Sequence, residues 1–208
     1  MSKTALCIGI NDYPGTRDDL SGCVNDAMDW SAELTQRGFT VSTLLDTQAT
    51  RAAMTSAIGD LILGGRTGDS LAITYSGHGT WVPDSSGDEP DGRDEALCPH
   101  DIATQGPLLD DEIHALFARR AAGVRILLIS DSCHSGSVTR GREEDLDPGG
   151  ARARFLPLEA WMSKEELPRA NVEAPPVVER PTAGRRGPAA GRLQGYGILL
   201  RHPLPGPP

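Results

Sequence analysis

Two short apolar runs each lead to a residue that can do chemistry, and this pair constrains the fold more than any other feature. Residues 71–76 (LAITYS) lead to His78, and residues 126–130 (ILLIS) lead to Cys133. Apolar runs of this length that stop at polar, glycine-flanked positions are typical of buried parallel strands that end at functional loops. Because open α/β sheets bind ligands beyond the carboxyl ends of their strands, we expect both residues at one rim of a sheet.

A thiol beside an imidazole is the arrangement of a cysteine nucleophile and its base, because the imidazole can take the thiol proton or stabilise the thiolate. Gly77 and Gly79 flank His78 and leave room for a substrate backbone and for an N–H group that binds an oxyanion. A single buried Cys or His is more often structural. Their pairing at two matching strand ends favours catalysis.

Strands and helices alternate through the amino-terminal two thirds of the chain. The apolar spacing predicts strands at residues 4–10, 39–45, 69–76 and 124–129, and helices at residues 22–37, 50–63 and 110–121. This alternation is typical of a parallel sheet with right-handed crossovers. We therefore predict an α/β fold with a mostly parallel sheet of about four strands and helices on both faces.

The chemistry-bearing segments resemble the motifs of metacaspases, the caspase-like cysteine peptidases of bacteria, plants, fungi and protists. Residues 75–79 (YSGHG) and 131–136 (DSCHSG) are similar to the histidine and cysteine motifs of that family. Residues 9–13 (GINDY) and 22–27 (GCVNDA) are similar to its first strand end and the opening of its first helix. The resemblance runs from residue 3 to residue 138, and it implies the large catalytic subunit of a caspase-like three-layer sandwich.

The resemblance implies a cysteine endopeptidase with a Cys133–His78 dyad and with the N–H groups of Cys133 and Gly79 binding the oxyanion. Two carboxylates at one pocket repel each other unless a cation lies between them, and a substrate Arg or Lys is such a cation. Asp26 and Asp131 are expected to border such a pocket. The family agrees, since metacaspases cleave after Arg or Lys with acids at these two positions.

The same resemblance places Cys23 and Ser76 alongside the two pocket carboxylates. Asp26 also has a purely structural alternative role, because an acid in the first turn of a helix is stabilised by the helix dipole without any ligand.

The segment from residue 83 to residue 112 holds ten acidic residues and one base, Arg93. So many like charges repel each other unless a cation or water screens them, and Ca²⁺ accepts several carboxylate ligands from such loops. The resemblance implies calcium activation with Asp94, Asp110 and Asp111 as ligands, although residues 137–140 lack an acid that the family often adds. For Asp111, capping of the following helix is an equal alternative.

Charge and cysteine content exclude several other classes of protein. Residues 1–139 carry 20 acidic and 9 basic side chains, so they form a poor nucleic-acid surface. The four cysteines have no CxxC spacing, which indicates reduced thiols rather than a zinc site. No stretch has the pattern of a membrane span or a secretory signal, so we expect a cytoplasmic protein.

Residues 140–208 differ in character from the predicted catalytic domain of residues 1–139. They contain eleven of the 16 prolines, which predicts a largely disordered tail or a degenerate small-subunit region. Residues 155–166 are predicted as a short helical island and residues 196–200 as a lone strand. Basic residues of this tail are candidates for self-cleavage, namely Arg140, Arg142, Arg152, Arg154 and Lys164.

Three functions therefore compete. The first is an active endopeptidase that cleaves proteins after Arg or Lys. The second is a catalytically weak caspase-like scaffold that needs a dimer partner or a separate small-subunit chain, because the tail lacks a small-subunit pattern and an unpaired sheet edge recruits strands. The third is an unrelated α/β domain with accidental motifs.

Overall fold

The computed structural model describes residues 1–84, 92–132 and 153–167. In chain order the elements are β1 (Lys3–Gly9), α1 (Cys23–Gln36), β2 (Thr40–Leu45), α2 (Arg51–Gly64), β3 (Ser70–Ser76), β4 (Gly79–Pro83), β5 (Arg93–Leu97), α3 (Ile102–Gln105), β6 (Leu108–Leu109), α4 (Asp110–Ala118), β7 (Arg125–Asp131) and α5 (Leu158–Trp161). Strands β2, β1, β3 and β7 pair in that order as a parallel sheet. The predicted α/β fold with four parallel strands is confirmed.

Helices cover both faces of the parallel sheet, as predicted. Side chains alternate along a strand, so Ala5 and Cys7 of β1 pack with α1 on one face, while Leu6 and Ile8 belong to the larger core that includes α2 and α4 on the other. Helix α1 meets small residues and therefore lies close to the sheet. None of the helices in the described ranges is long and apolar enough to cross a membrane.

A second, antiparallel sheet of β4, β5 and β6 lies within and just before the acidic segment, where the sequence predicts no strand. Strand β5 reads Arg-Asp-Glu-Ala-Leu, so apolar periodicity gives no strand signal. A contact across the sheet supports its pairing with β4: the guanidinium of Arg93 on β5 lies 4.1 Å from the centre of the Trp81 ring on β4. Strand β4 begins directly after His78, which places His78 at the junction of the two sheets.

Residues 153–167, here called the strap, dock on the amino-terminal part of the structure. Phe155 forms a parallel bridge with Gly79, and Leu156 and Leu158 are fully or almost fully buried. Helix α5 confirms the helical island predicted at residues 155–166. The predicted strand at residues 196–200 lies outside the described residues.

The end of β1 approaches α1 so closely that a side chain has no room. A Cβ atom on Gly9 would lie 2.6 Å from the Cys23 carbonyl oxygen and 2.7 Å from the Ala27 Cβ. Helix α1 carries Asp26, so this contact fixes the height of a predicted pocket acid against the sheet.

Gly9→Ala is therefore expected to lower the free energy of unfolding by about 1–3 kcal/mol, the usual cost of overpacking a core. Gly64→Ala is the matched control, because a Cβ there meets nothing within 4 Å. We expect it to leave stability unchanged or raise it by up to about 1 kcal/mol. Urea unfolding followed by circular dichroism measures both, and equal effects of the two substitutions would contradict the close approach.

Candidate active site

The carboxyl ends of β1, β3 and β7 lie level with one another. Ser76, the last residue of β3, pairs in register with Gly9 on one side and with Asp131 on the other. His78 follows Ser76 by two residues, and Cys133 follows Asp131 by two residues. Cys133 itself lies outside the described residues.

His78 is 2% exposed, and its imidazole is oriented by a backbone carbonyl. The Nε2 atom lies 2.5 Å from the Asp18 carbonyl oxygen in the loop between β1 and α1. A carbonyl only accepts hydrogen bonds, so Nε2 carries the proton and Nδ1 carries the lone pair. The neutral ring is thus held in the tautomer with its lone pair on Nδ1.

The start of α1 is held by Asn11, which lies at the end of β1. Its Oδ1 atom accepts from the N–H groups of Cys23 (2.9 Å) and Val24 (3.4 Å), so it satisfies donors that a helix terminus otherwise leaves exposed. Gly22, the residue that precedes the helix, supplies no side-chain cap. Asn11 therefore fixes Cys23 and Asp26 relative to the strand ends.

The structure brings the two predicted pocket acids together around a cation of the chain's own. One guanidinium nitrogen of Arg154 donates to Asp26 Oδ2, and the other donates to Asp131 Oδ2 and, at 3.2 Å, to the Asp131 carbonyl oxygen. Burial by itself would lower the pKa of Arg154, but the hydrogen bond with Asp26 and the nearby negative charges outweigh it and raise that pKa. Arg154 therefore stays charged.

The backbone of Arg154 is held as firmly as its side chain. The Gly79 N–H, the predicted oxyanion donor, donates to the Arg154 carbonyl oxygen at 2.9 Å. The Leu156 N–H in turn donates to the Gly79 carbonyl oxygen at 2.9 Å. The peptide bond between Arg154 and Phe155 is thus bracketed by two hydrogen bonds to the residue that follows His78.

The acids around Arg154 open onto a cleft of about 310 Å³, lined by Asp26, Asp29, Trp30, Glu33 and Asp131. Four of the five lining residues lie on α1 at helical spacing, so they share one face. Sequence reasoning missed Asp29, Trp30 and Glu33, although their spacing from Asp26 carried the signal.

Cys23 and Ser76 lie near the two acids. Cys23 is buried, and burial is the main cause that raises the pKa of its thiol to about 11, with Asp26 and Asp131 adding to the increase and Arg154 opposing it. Ser76 is buried next to Asp131 in the sheet register. The Cys23 thiol is therefore neutral at physiological pH.

The predicted calcium ligands flank the second sheet. Asp94 is buried on β5, and Asp110 and Asp111 open α4, which packs on that strand. Burial raises the pKa of Asp110. Within residues 1–84, 92–132 and 153–167, no three His, Cys, Asp or Glu side chains converge as a metal site requires.

The first turn of α4 is capped by protein groups. Glu112 accepts from the Leu109 N–H at 3.0 Å, and its two carboxylate oxygens lie 2.7 and 2.8 Å from a single guanidinium nitrogen, Nη2 of Arg51. Asp110 accepts from the Asp111 N–H at 3.0 Å. Three further acids of the predicted calcium loop, Asp88, Glu89 and Asp91, lie outside the described residues.

Sequence reasoning missed the partners that orient the site, because each acts through atoms or contacts that residue type does not reveal. Asp18 acts through its backbone carbonyl, and Asn11 caps a helix that begins twelve residues later. Arg154 was singled out only as one of several cleavable basic residues.

Thiol labelling tests the burial of the described cysteines. At pH 8 a thiol with a pKa of about 11 is ionised in about one molecule in a thousand, so we expect Cys23 to resist iodoacetamide in the folded protein. Cys7 and Cys98 are buried free thiols with raised pKa values and should resist as well. Peptide mass spectrometry would locate the modified residues, with protein in urea as the control. Native labelling of Cys23 as fast as in urea would contradict this environment.

Comparisons with known proteins agree with the geometry. The family model "Metacaspase, peptidase C14 domain" matches residues 3–140. Metacaspase-7 of Arabidopsis thaliana is 40% identical over 156 residues, which cover 70% of this chain and 38% of that protein. Metacaspase-1 of Saccharomyces cerevisiae is 42% identical over 148 residues, which cover 65% and 34%.

A crystal structure of a Geobacter sulfurreducens protein matches with a TM-score of 0.65 and 38% identity, over 86% of this chain and 68% of that one. The match supports the caspase-like assignment of the fold. The chain spans about a third of the length of the curated relatives.

Proposed function

Because this chain belongs to the metacaspase family, we propose that it is a cysteine endopeptidase that hydrolyses peptide bonds after Arg or Lys with a Cys133–His78 dyad. One observation carries the proposal. A cationic side chain, Arg154, lies between Asp26 and Asp131 while its own carbonyl oxygen accepts from the Gly79 N–H. A substrate arginine with its scissile carbonyl at the oxyanion donor needs the same contacts.

The electrostatics of the pocket support this specificity. Asp26 and Asp131 are partly exposed acids that converge on one guanidinium, and planar guanidinium groups bind carboxylates through paired N–H donors. Lysine offers the same charge with fewer fixed donors. A substrate Asp would add a third carboxylate to the pocket and would be repelled.

The proposed reaction is acyl transfer. The Cys133 sulfur attacks the scissile carbonyl carbon as His78 takes the thiol proton, and the Gly79 N–H stabilises the charge that develops on the carbonyl oxygen. The leaving amine takes the proton from His78 as the peptide C–N bond breaks. Water, deprotonated by His78, then hydrolyses the thioester and regenerates the thiol. Asp18 holds the imidazole in its tautomer throughout.

Hydrolysis of fluorogenic peptides tests this specificity. We expect cleavage of peptides with Arg or Lys, and not Asp, at the cleaved position, and no cleavage by Cys133→Ala. Asp26→Asn and Asp131→Asn should each lower kcat/KM for the Arg peptide by about 10- to 100-fold, since a hydrogen bond between charged groups is worth about 1.5–3 kcal/mol.

Glu33→Gln is the matched control for these two substitutions. It removes one negative charge from the same helix, but Glu33 pairs with Arg37 rather than with Arg154. If Glu33→Gln reduces kcat/KM as much as Asp26→Asn does, the pocket attracts cations only through its overall charge. Parallel assays with calcium and with a chelator test calcium activation, which stays a prediction.

We further propose that the enzyme processes itself at the bond between Arg154 and Phe155. The strap is held by apolar burial in addition to the ion pairs of Arg154, because each buried leucine contributes about 1.5–3 kcal/mol. Leu156 and Leu158 therefore keep the strap docked when Arg154 changes. Substitution of Arg154 is therefore expected to change the cleaved position without releasing the strap.

Intact-mass spectrometry under assay conditions is expected to show fragments 1–154 and 155–208, at a first-order rate that does not depend on protein concentration. Arg154→Gln should abolish this cut and Arg154→Lys should retain it. Lys164→Gln, an exposed basic residue of the same strap, should have no effect. An active enzyme that cuts other tail residues and leaves the Arg154–Phe155 bond intact would refute self-processing here.

A second candidate function is a scaffold that works only with a partner chain. Among the described strands, β7 forms one edge of the parallel sheet and pairs with β3 alone. An unpaired edge is a template for a further strand from a second copy or from a small-subunit chain. Absence of hydrolysis in a folded protein, together with dimers in sedimentation, would favour this function.

A further inference from the structure

Two buried tyrosine hydroxyls meet at the backbone of His78. Tyr13 is 0% exposed and comes from the loop after β1, while Tyr75 is 1% exposed and lies near the end of β3. The His78 N–H donates to the Tyr13 hydroxyl at 2.8 Å. The Tyr75 hydroxyl lies 2.7 Å from the His78 carbonyl oxygen and 2.9 Å from the Cys98 carbonyl oxygen, and its single proton is shared between these two acceptors.

The space for both hydroxyls exists because residue 77 has no side chain. A Cβ on Gly77 would lie 2.6 Å from each of the two phenol oxygens. The hydroxyls also interact with each other, and burial raises the pKa of both tyrosines far above its ordinary value, so both stay neutral. The absence of a side chain at Gly77 thus makes room for the two tyrosine hydroxyls, in addition to any room that it leaves for a substrate backbone.

Tyr13 also connects His78 to the loop that orients its ring. The Tyr13 and His78 rings have centroids 4.8 Å apart. The Tyr13 N–H donates to Asp19 Oδ1 at 2.9 Å, and its carbonyl accepts from the Thr16 N–H at 3.0 Å. These bonds shape the turn that presents the Asp18 carbonyl to Nε2.

We propose that Tyr13 and Tyr75 are positioning residues of the dyad, which clamp both backbone polar groups of His78 so that its imidazole meets the Asp18 carbonyl in one fixed tautomer. The proposal rests on the proposed peptidase function. It adds that catalysis depends on two phenol oxygens that contact the backbone of His78. Burial of the two hydroxyls carries a desolvation free-energy cost. Their contacts with the backbone of one residue, His78, offset that cost and hold the residue in place.

The test compares Tyr13→Phe and Tyr75→Phe with the wild-type full chain. Each substitution removes one oxygen atom and keeps the ring. We expect kcat for the Arg peptide to fall by about 10- to 100-fold, since small displacements of a catalytic group cost that much. KM should stay within about 2-fold, because Asp26 and Asp131 are untouched. Ile58→Val, a core substitution on α2, is the control for lost stability.

A second readout follows the imidazole directly. Nitrogen NMR of protein labelled at histidine, with His78→Gln for assignment, should show a fixed Nε2–H tautomer in the wild type and in Ile58→Val. In both tyrosine variants the His78 resonances should move toward the average of the two tautomers.

Wild-type kcat and wild-type His78 resonances in both tyrosine variants would overturn the proposal. So would a kcat loss that Ile58→Val reproduces at equal melting temperature. If the wild type cleaves no peptide, the proposed peptidase function fails, while the NMR comparison still decides whether the two hydroxyls position His78.

Discussion

The rest of the site depends on the in-register pairing of β3 with β1 and β7. The register aligns Gly9, Ser76 and Asp131, so three strands end at the same height and the loops that leave them share one rim. A shift by one residue would turn every side chain of a strand to the opposite face and would move the following loop along the sheet. The apolar pattern fixes this register, since Leu6 and Ile8 must face α2 and α4 while Ala5 and Cys7 face α1.

The balance of charge at that rim explains how the strap is seated. Two acids that converge without a counter-ion would repel each other, and Arg154 supplies a positive charge between them. The ion pairs are partly exposed, so attachment of the strap also depends on apolar burial. Leu156, Leu158 and Trp161 hold it through contacts with the core and with Thr80.

Prediction from sequence succeeds where a pattern is local. The four parallel strands, the helices on both faces and the short helix of the strap follow from apolar runs and their spacing. The second sheet does not, because β5 carries Arg93, Asp94 and Glu95 and is stabilised by pairing across the sheet rather than by its own composition. Asp26 and Asp131 converge on a cation, Arg154, because like charges at one site require a counter-ion, and the substrate pocket built on them stays a prediction.

The sequence by itself determined the fold class, the strands that lead toward the His78 and Cys133 motifs, and a pair of acids, Asp26 and Asp131, that repel each other unless a cation lies between them. These properties follow from residue types and from short spacings along the sequence, and both can be interpreted without knowing the tertiary structure. Only the tertiary structure decided that Arg154 is that cation, that the Asp18 carbonyl orients the imidazole, and that Tyr13 and Tyr75 hold the His78 backbone. Such contacts join residues up to 128 positions apart or use backbone atoms that every residue has, so no local pattern encodes them.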